Sequence, residues 1–368
     1  MTVGIVAEYN PFHKGHFYHI AKTKEAFPDE PVIIAMSGDF VERGELAVAP
    51  SSLRAKWALE AGANLVVEIP SIFVLQNADI FARESIRLLS SFSISHLSFG
   101  SVKPLDELLN MREEEHRRKD IIEGIIAQER EKGASLPQAY ARARQEALSS
   151  LLRLDPNDLL AMMYLKYLPG MIAPYAVERI GATHDSTDHD AYPSGLRIRR
   201  ALLQGKTPPL PDNVKKDLED ISLFSHDRVI PLLKYSLAFE EDDPSILHYE
   251  NGLADRLRKT ESHTFDTWVA RASSKRYTHS RIRRYIFARL ADLHPVRENR
   301  IYARVLAADE IGRDLLKNTS AQILTHGKSL GAHRESPTVQ AMLRTSFLAD
   351  ILLERPVGSI YRSQPMIK

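Results

Sequence analysis

Short apolar runs rich in valine and isoleucine recur about every 30 residues in the first hundred: VGIVA at 3–7, VIIAM at 32–36, NLVVEI at 64–69 and HLSFG at 96–100. Between them, HFYHIAKTKEAF, SLRAKWALEAG and ADIFARESIRLLSSF carry apolar residues at helical spacing. Strands that alternate with helices pair in parallel, because a parallel neighbour requires a crossover long enough to hold a helix. Right-handed crossovers then place helices on both faces, so the pattern predicts an α/β fold with a doubly wound parallel sheet.

After Gly100 the pattern changes to charged helices, EEEHRRKD and then QAYARARQEALSSLL, which predicts a helical insertion over about 103–168. PYAVERI at 174–180 predicts one more strand, followed by a polar loop and a helix from near Ser194 to just before Gly205. GKTPPLPDN, from Gly205 to Asn213, concentrates three prolines between helical patterns and marks the expected boundary. The expected organisation is an α/β domain over 1–205 and a mostly helical, basic domain over 214–368, with no internal repeat.

Composition excludes several classes. The 49 Lys and Arg against 48 Asp and Glu leave no bulk charge, so a nucleic-acid partner needs a local patch. The absence of cysteine excludes disulfides, thiolate zinc sites and a thioester carrier together. The first apolar run lacks the basic flank and length of a secretory signal, and no apolar run approaches the roughly 18 residues of a membrane span, so a cytoplasmic protein is expected.

The first strand ends in EYNPFHKGHFYH, where Asn10 and Pro11 break the strand and Gly15 permits close backbone approach as a helix begins. Ligands of open α/β sheets lie beyond the carboxyl ends of strands, and a helix start offers free N–H groups to phosphate. His13 and His16, three apart at that entry, can donate to phosphate oxygens as charge grows during attack at an α-phosphate. The plain alternative is that both are capping or surface histidines. HDSTDHD, His184 to Asp190, has metal-binding residue types but no rigid spacing and reads more simply as a polar loop; no protein-held metal is expected, and magnesium would arrive on a nucleotide. From Arg271 to Arg304 ten Lys or Arg face two acidic residues, with Tyr277, Tyr285 and Phe287 interleaved. That is the footprint of an RNA contact, or of a solvated helix face over a core.

GIVAEYNPFHKGH resembles the opening of the HIGH-motif nucleotidyltransferase superfamily, with HKGH in the place of its signature. PSGLRIRRAL matches its second signature at Ser194, Ile198 and Arg199. EYNPFHKGH, SGDFVERGE, LSFGS, PNDLL, ERIG and KRYTHSRIRR, in that order, together resemble the tRNA(Met) cytidine acetate ligase family from residue 3 to about 306. The resemblance implies a Rossmann-like sheet and an enzyme that activates acetate with ATP as acetyl-adenylate. The acetyl group would then pass to the exocyclic amine of the wobble cytidine of elongator tRNA(Met), with AMP and pyrophosphate released. It implies catalytic roles for His13, His16 and Arg199. ATP would lie against Val6, Ala7, Glu8, Tyr9, Asn10, Pro11, Phe12, His13, Lys14, Gly15, His16, Phe17, Tyr18 and His19, with Gly100, Asn157, Arg179 and Ser194 completing the site. Lys275, Arg276, Arg281 and Arg284 are the expected tRNA contacts. The chain departs from the pattern at Leu196, where a threonine is usual, at Lys14, where an asparagine is common, and at Asp39, in a loop usually neutral. Two other functions fit the same signatures: a small-molecule adenylyl- or cytidylyltransferase, told apart by independence of RNA, and a nucleotide-sensing RNA-binding protein, told apart by an absence of pyrophosphate release.

Overall fold

The computed structural model describes residues 1–148, 154–179, 193–221 and 223–368. Its strands are β1 (Val3–Ala7), β2 (Val32–Ser37), β3 (Phe40–Val41), β4 (Glu45–Leu46), β5 (Leu65–Ile69), β6 (His96–Ser101), β7 (Ala173–Glu178), β8 (Tyr302–Ala308), β9 (Gln322–Leu324) and β10 (Met366–Ile367). The main sheet runs β10-β8-β5-β2-β1-β6-β7, with β9 also on β8, while β3 and β4 form a separate antiparallel hairpin. β2 and β5 are buried along their whole length, which is why they read as unbroken apolar runs.

From β1 the chain builds outward through β2 to β5, then returns to place β6 and β7 on the other side of β1, all in parallel. The order therefore reverses between β1 and β6, and in open α/β sheets it is at such a switch point, in the crevice beyond the strands' carboxyl ends, that ligands bind. The helix Lys14–Ala26 that leaves β1 is docked on β6: His19 Nε2 lies 2.9 Å from Ser98 Oγ, and Ser98 Oγ lies 2.7 Å from Thr23 Oγ1. The insertion folds as the helices Leu105–Arg117, Lys119–Glu131, Leu136–Ala147 and Pro156–Tyr167.

The C-terminal half differs from the sequence expectation. It is helical to Leu290, with Trp268, Tyr285 and Phe287 in its core, but β8 then joins the central sheet antiparallel to β5. YARVLAA, with three alanines and an arginine, suits a helix by intrinsic propensity. Packing overrides this, since β8 is almost wholly buried and its Arg304 reaches the Glu68 carboxylate of β5. The stretch expected as a helical domain thus supplies three strands to the sheet of residues 1–205.

One buried cation ties the strand ends together. Arg54, on the helix Ser51–Glu60, is fully buried; its Nε donates to Ala49 O at 3.0 Å and its two Nη groups donate to the carbonyls of Glu8 and Gly38. Burial pushes its pKa down to about 10, with Asp39, Glu8 and Glu68 opposing the shift, so it stays charged at neutral pH. Asp39, the acidic departure between β2 and β3, is paired with Arg355 at 2.7 Å, which in turn contacts buried Asp350 at 3.0 Å. Arg54→Met keeps the length and removes the donors. It should cost about 3 to 5 kcal/mol in urea unfolding followed by circular dichroism, the scale for stripping one partner from a buried charged network; a loss below about 1 kcal/mol would show that the carbonyls find other donors.

Candidate active site

The loop that leaves β1 is shaped by what it buries. Tyr9 adopts φ +51°, and both Tyr9 and Phe12 are almost fully buried, edge to face at 4.8 Å. Asn10 Oδ1 accepts from the Val48 N–H at 2.8 Å, which fixes the loop against the segment after the β3–β4 hairpin. His13 caps the helix Lys14–Ala26: its Nδ1 accepts from the Gly15 N–H at 3.1 Å, while His16 Nδ1 accepts from the His13 N–H at 3.2 Å. The two rings stack, with centroids 3.6 Å apart and 16° between planes.

This capping box decides the protonation of both rings. An Nδ1 that accepts a backbone hydrogen bond carries no proton, so each neutral imidazole holds its proton on Nε2. Burial lowers the pKa of His13 and of His19 to about 4, with Arg179 adding to it, and lowers that of His16 well below the usual value. At neutral pH His13 and His16 are therefore a stacked pair of uncharged Nε2–H donors. They are cap residues and potential ligand donors at once.

The second signature meets the first in space. Ser194 caps the helix Gly195–Leu203, accepting from the Arg197 N–H at 3.4 Å, and Ile198 is fully buried beneath it. Arg199 Nη1 donates to the Asn10 carbonyl at 2.8 Å, and its Nη2 lies 3.9 Å from Glu45 Oε2. A side chain at Gly195 would sit 3.3 Å from Arg199 Nη1 and 3.4 Å from the Asn10 carbonyl, so the helix start lies flush against the first loop. Leu196 is half-buried on the same turn.

Gly100 and Arg179 meet on the β6 side of the switch point, and Asn157 stands next to Asp158, which binds the end of β6. Gly100 pairs with Val177 in the β6–β7 register, and the Arg179 N–H donates to Ser101 O at 3.0 Å. A methyl at Gly100 would meet Arg179 Cγ at an ordinary 3.5 Å, so the protein itself does not demand glycine there. Asn157 stands second in the helix Pro156–Tyr167; its N–H and its side-chain amide both donate to the capping Asp155, leaving its carbonyl oxygen as the freer end. The neighbouring Asp158, which the sequence did not single out, is buried and accepts from Ser101 Oγ at 3.0 Å and the Val102 N–H at 2.8 Å. Val6, Ala7 and Glu8 are half-buried at the end of β1, whereas Lys14 and Phe17 are exposed.

The basic stripe is corrected by the structure. Tyr277, Tyr285 and Phe287 are buried, so none offers a face to a base. Arg284 is buried too and donates to Glu42 Oε1 at 2.6 Å and to the Gln76 carbonyl at 2.7 Å, an internal brace where a solvent-facing contact was expected. Arg276 and Arg281 both pair with Glu250, and Lys275 is exposed. HDSTDHD lies outside the described residues, among which no group of three or more potential ligands is arranged for a metal.

Sequence reasoning missed the β3–β4 hairpin as a site element. The Glu42 N–H donates to Glu8 Oε1 at 2.6 Å, and Glu45 lies between Arg199 and Arg283 of the helix His279–Leu290. Gly44, at φ +70°, brings the turn so close that a Cβ would stand 2.7 Å from the Arg284 nitrogen. The only signal was that SGDFVERGE and KRYTHSRIRR are both charged blocks of opposite balance.

The depressed histidines have a consequence for stability. Each binds fewer protons folded than unfolded, so its contribution is intact above the unfolded value of about 6.5 and is lost as pH falls toward 4. Denaturant midpoints should therefore decline between pH 6.5 and 4, and His19→Asn should make that decline shallower. Parallel declines in the two proteins would mean His19 is not a source.

The HIGH nucleotidyl transferase family profile matches residues 1–357. A tRNA(Met) cytidine acetate ligase from Halalkalibacterium halodurans is 31% identical over 381 residues, covering 94% of this chain and 91% of that one. One from Anoxybacillus flavithermus is 30% identical over 407 residues and covers 99% of both. The crystal structure of Thermotoga maritima TmcAL bound with alpha-thio ATP has the same fold, with a TM-score of 0.82 at 24% identity over 100% of this chain and 99% of that one. This chain belongs to the HIGH nucleotidyltransferase family and, within it, to the tRNA(Met) cytidine acetate ligases.

Proposed function

We propose that the protein is an ATP-dependent ligase that activates acetate as acetyl-adenylate and acetylates the exocyclic amine of the wobble cytidine of elongator tRNA(Met). The observation that carries this reading is the stacked pair of Nε2–H donors beside Arg199 at the switch point, in a chain of that family. In the first step an acetate oxygen attacks the α-phosphorus of ATP and the bond to pyrophosphate breaks. His13 and His16 donate to the phosphate oxygens on which charge grows, and Arg199 balances the departing pyrophosphate. Neutral donors suit this task, since they are strongest where charge develops. Gly100, Asn157 and Arg179 would hold the nucleotide across the crevice. The donors at this site suit phosphate oxygens and not a cation, so magnesium would come and go as the counter-ion of ATP.

In the second step the cytidine amine attacks the acyl carbon and AMP leaves. A chain without cysteine has no thiol on which to store the acetyl group, which fits direct transfer. Such a reaction would place the enzyme in the cytoplasm, with tRNA and ATP. Lys275, Arg276 and Arg281 border the exposed start of the helix His279–Leu290 and remain the proposed RNA contacts; Arg284 acts from inside.

Incubation with ATP, labelled acetate and tRNA, followed by mass spectrometry of the nucleosides, should yield acetylcytidine from elongator tRNA(Met); unmodified tRNA alongside acetate-dependent pyrophosphate release would overturn the acceptor. His16→Ala should lower that release roughly a hundredfold or more, the scale for losing a donor to developing charge. For the RNA edge, Lys275 and Arg276 changed together to alanine should weaken tRNA binding and flatten its logarithmic salt dependence by about one unit, since each phosphate contact contributes about 0.7. An unchanged slope would return this edge to an ordinary solvated face.

A further inference from the structure

Transfer of an acyl group to a cytidine amine leaves a proton to be disposed of. The nitrogen that attacks the acyl carbon becomes positively charged, and unless a base removes a proton the adduct reverts. The two signature histidines cannot serve. Their Nδ1 atoms already accept backbone N–H groups and their Nε2 atoms already carry protons.

Three carboxylates lie close to the first loop, and the structure separates them. Glu42 is paired with Arg284 at 2.6 Å, and Glu45 is held between Arg283 and Arg199. A carboxylate in contact with a guanidinium is a poor proton acceptor, because protonation forfeits the ion pair. Glu8 is different: among the described residues it makes no ion pair within 4.0 Å, and its one side-chain hydrogen bond is the Glu42 N–H on Oε1. Its other oxygen, Oε2, carries no hydrogen bond from the described residues.

Glu8 is also where the site elements converge. Its carbonyl is held by Arg54 of the helix Ser51–Glu60 and its Oε1 by the β3–β4 hairpin. The charges of Glu42, Arg199 and Arg54 act on its carboxylate, and that carboxylate acts on Tyr164 of the helix that carries Asn157. Burial raises its proton affinity above that of an ordinary carboxylate, and the neighbouring Glu42 adds to this, while the Glu42 N–H and the two guanidiniums oppose it.

From this geometry we infer that Glu8 is the general base of the transfer step. The inference rests on the ligase reading above. The amine lone pair forms the C–N bond, and the acyl carbon's bond to the AMP phosphate oxygen breaks with its electron pair leaving on AMP. One amine proton passes to Glu8 Oε2 and from there to water. The first step needs no proton transfer at Glu8, so the two half-reactions depend on it unequally.

The test separates the half-reactions. Acetyl-adenylate is formed on the enzyme from ATP and labelled acetate with pyrophosphatase present, tRNA(Met) is added, and acetylcytidine is counted after rapid quenching from pH 5 to 8; hydroxamate trapping measures the first step alone. Glu8→Gln preserves an acceptor for the Glu42 N–H and removes the base. Transfer should fall a hundredfold or more, at least tenfold further than adenylation falls, and the acidic limb of the wild-type transfer profile should vanish. Glu8→Asp should restore part of the transfer rate together with the limb. Equal losses in both steps would overturn the proposal in favour of a structural or ATP-holding role, and transfer within tenfold of wild type would mean that the departing phosphate takes the proton. Wild-type protein that forms acetyl-adenylate yet leaves tRNA unmodified would overturn the ligase reading itself, and the role of Glu8 with it.

Discussion

The Arg54 guanidinium is the fixed point on which the site is built. Adjacent parallel strands β1 and β2 end at the same level, and each must send its chain into an irregular loop whose first carbonyl has lost its ladder partner. Arg54 donates to both of those carbonyls, at Glu8 and Gly38, from a fully buried position. A buried cation is costly unless every donor is used, and here Nε and both Nη groups are engaged. The direction in which the histidine loop and the hairpin leave the sheet follows from that one side chain.

The positive charge of the crevice resides in arginine and not in histidine. Protonating a buried, stacked imidazole pair would set two cations 3.6 Å apart and would break the backbone bonds on their Nδ1 atoms. The capping box therefore holds both rings neutral and aims the same kind of donor from each. Arg199 and Arg179 supply the charge, and as guanidiniums they keep it whether or not the histidines titrate.

The centre of the sheet was legible because β2 and β5 are covered on both faces and so read as continuous apolar runs. β8 was not: alanine packs between β5 and β10 where space is short, and its one long polar residue, Arg304, is accommodated only because Glu68 waits on the partner strand. The histidine signature could be read from sequence, but its tautomers depend on cap geometry that only the folded loop defines. Arg281, Arg283 and Arg284 could not be sorted by sequence at all. Arg281 and Arg284, three apart, lie near one face of the helix His279–Leu290, but Arg281 is in its first turn at the edge beside Glu250, while Arg284, one turn further in, is buried under the hairpin against Glu42.

That sorting makes the hairpin the joint between the two halves of the chain. Its turn is pressed on the helix His279–Leu290 at Gly44, its Glu42 takes Arg284 from that helix while giving its N–H to Glu8, and its Glu45 stands between Arg283 and Arg199. Arg199 of the crevice and Arg283 of the C-terminal helix thus share the Glu45 carboxylate, while Glu42 joins Glu8 through its N–H and Arg284 through its carboxylate. β8 adds a second, independent connection through the sheet. Cutting the chain at the proline-rich segment would therefore expose the edge of β5, strip Glu68 of Arg304 and leave Glu42 and Glu45 without their C-terminal partners. The crevice and the C-terminal helices are therefore joined through the hairpin: Arg199 and Arg283 meet on Glu45, so a change at one reaches the other through two ion pairs.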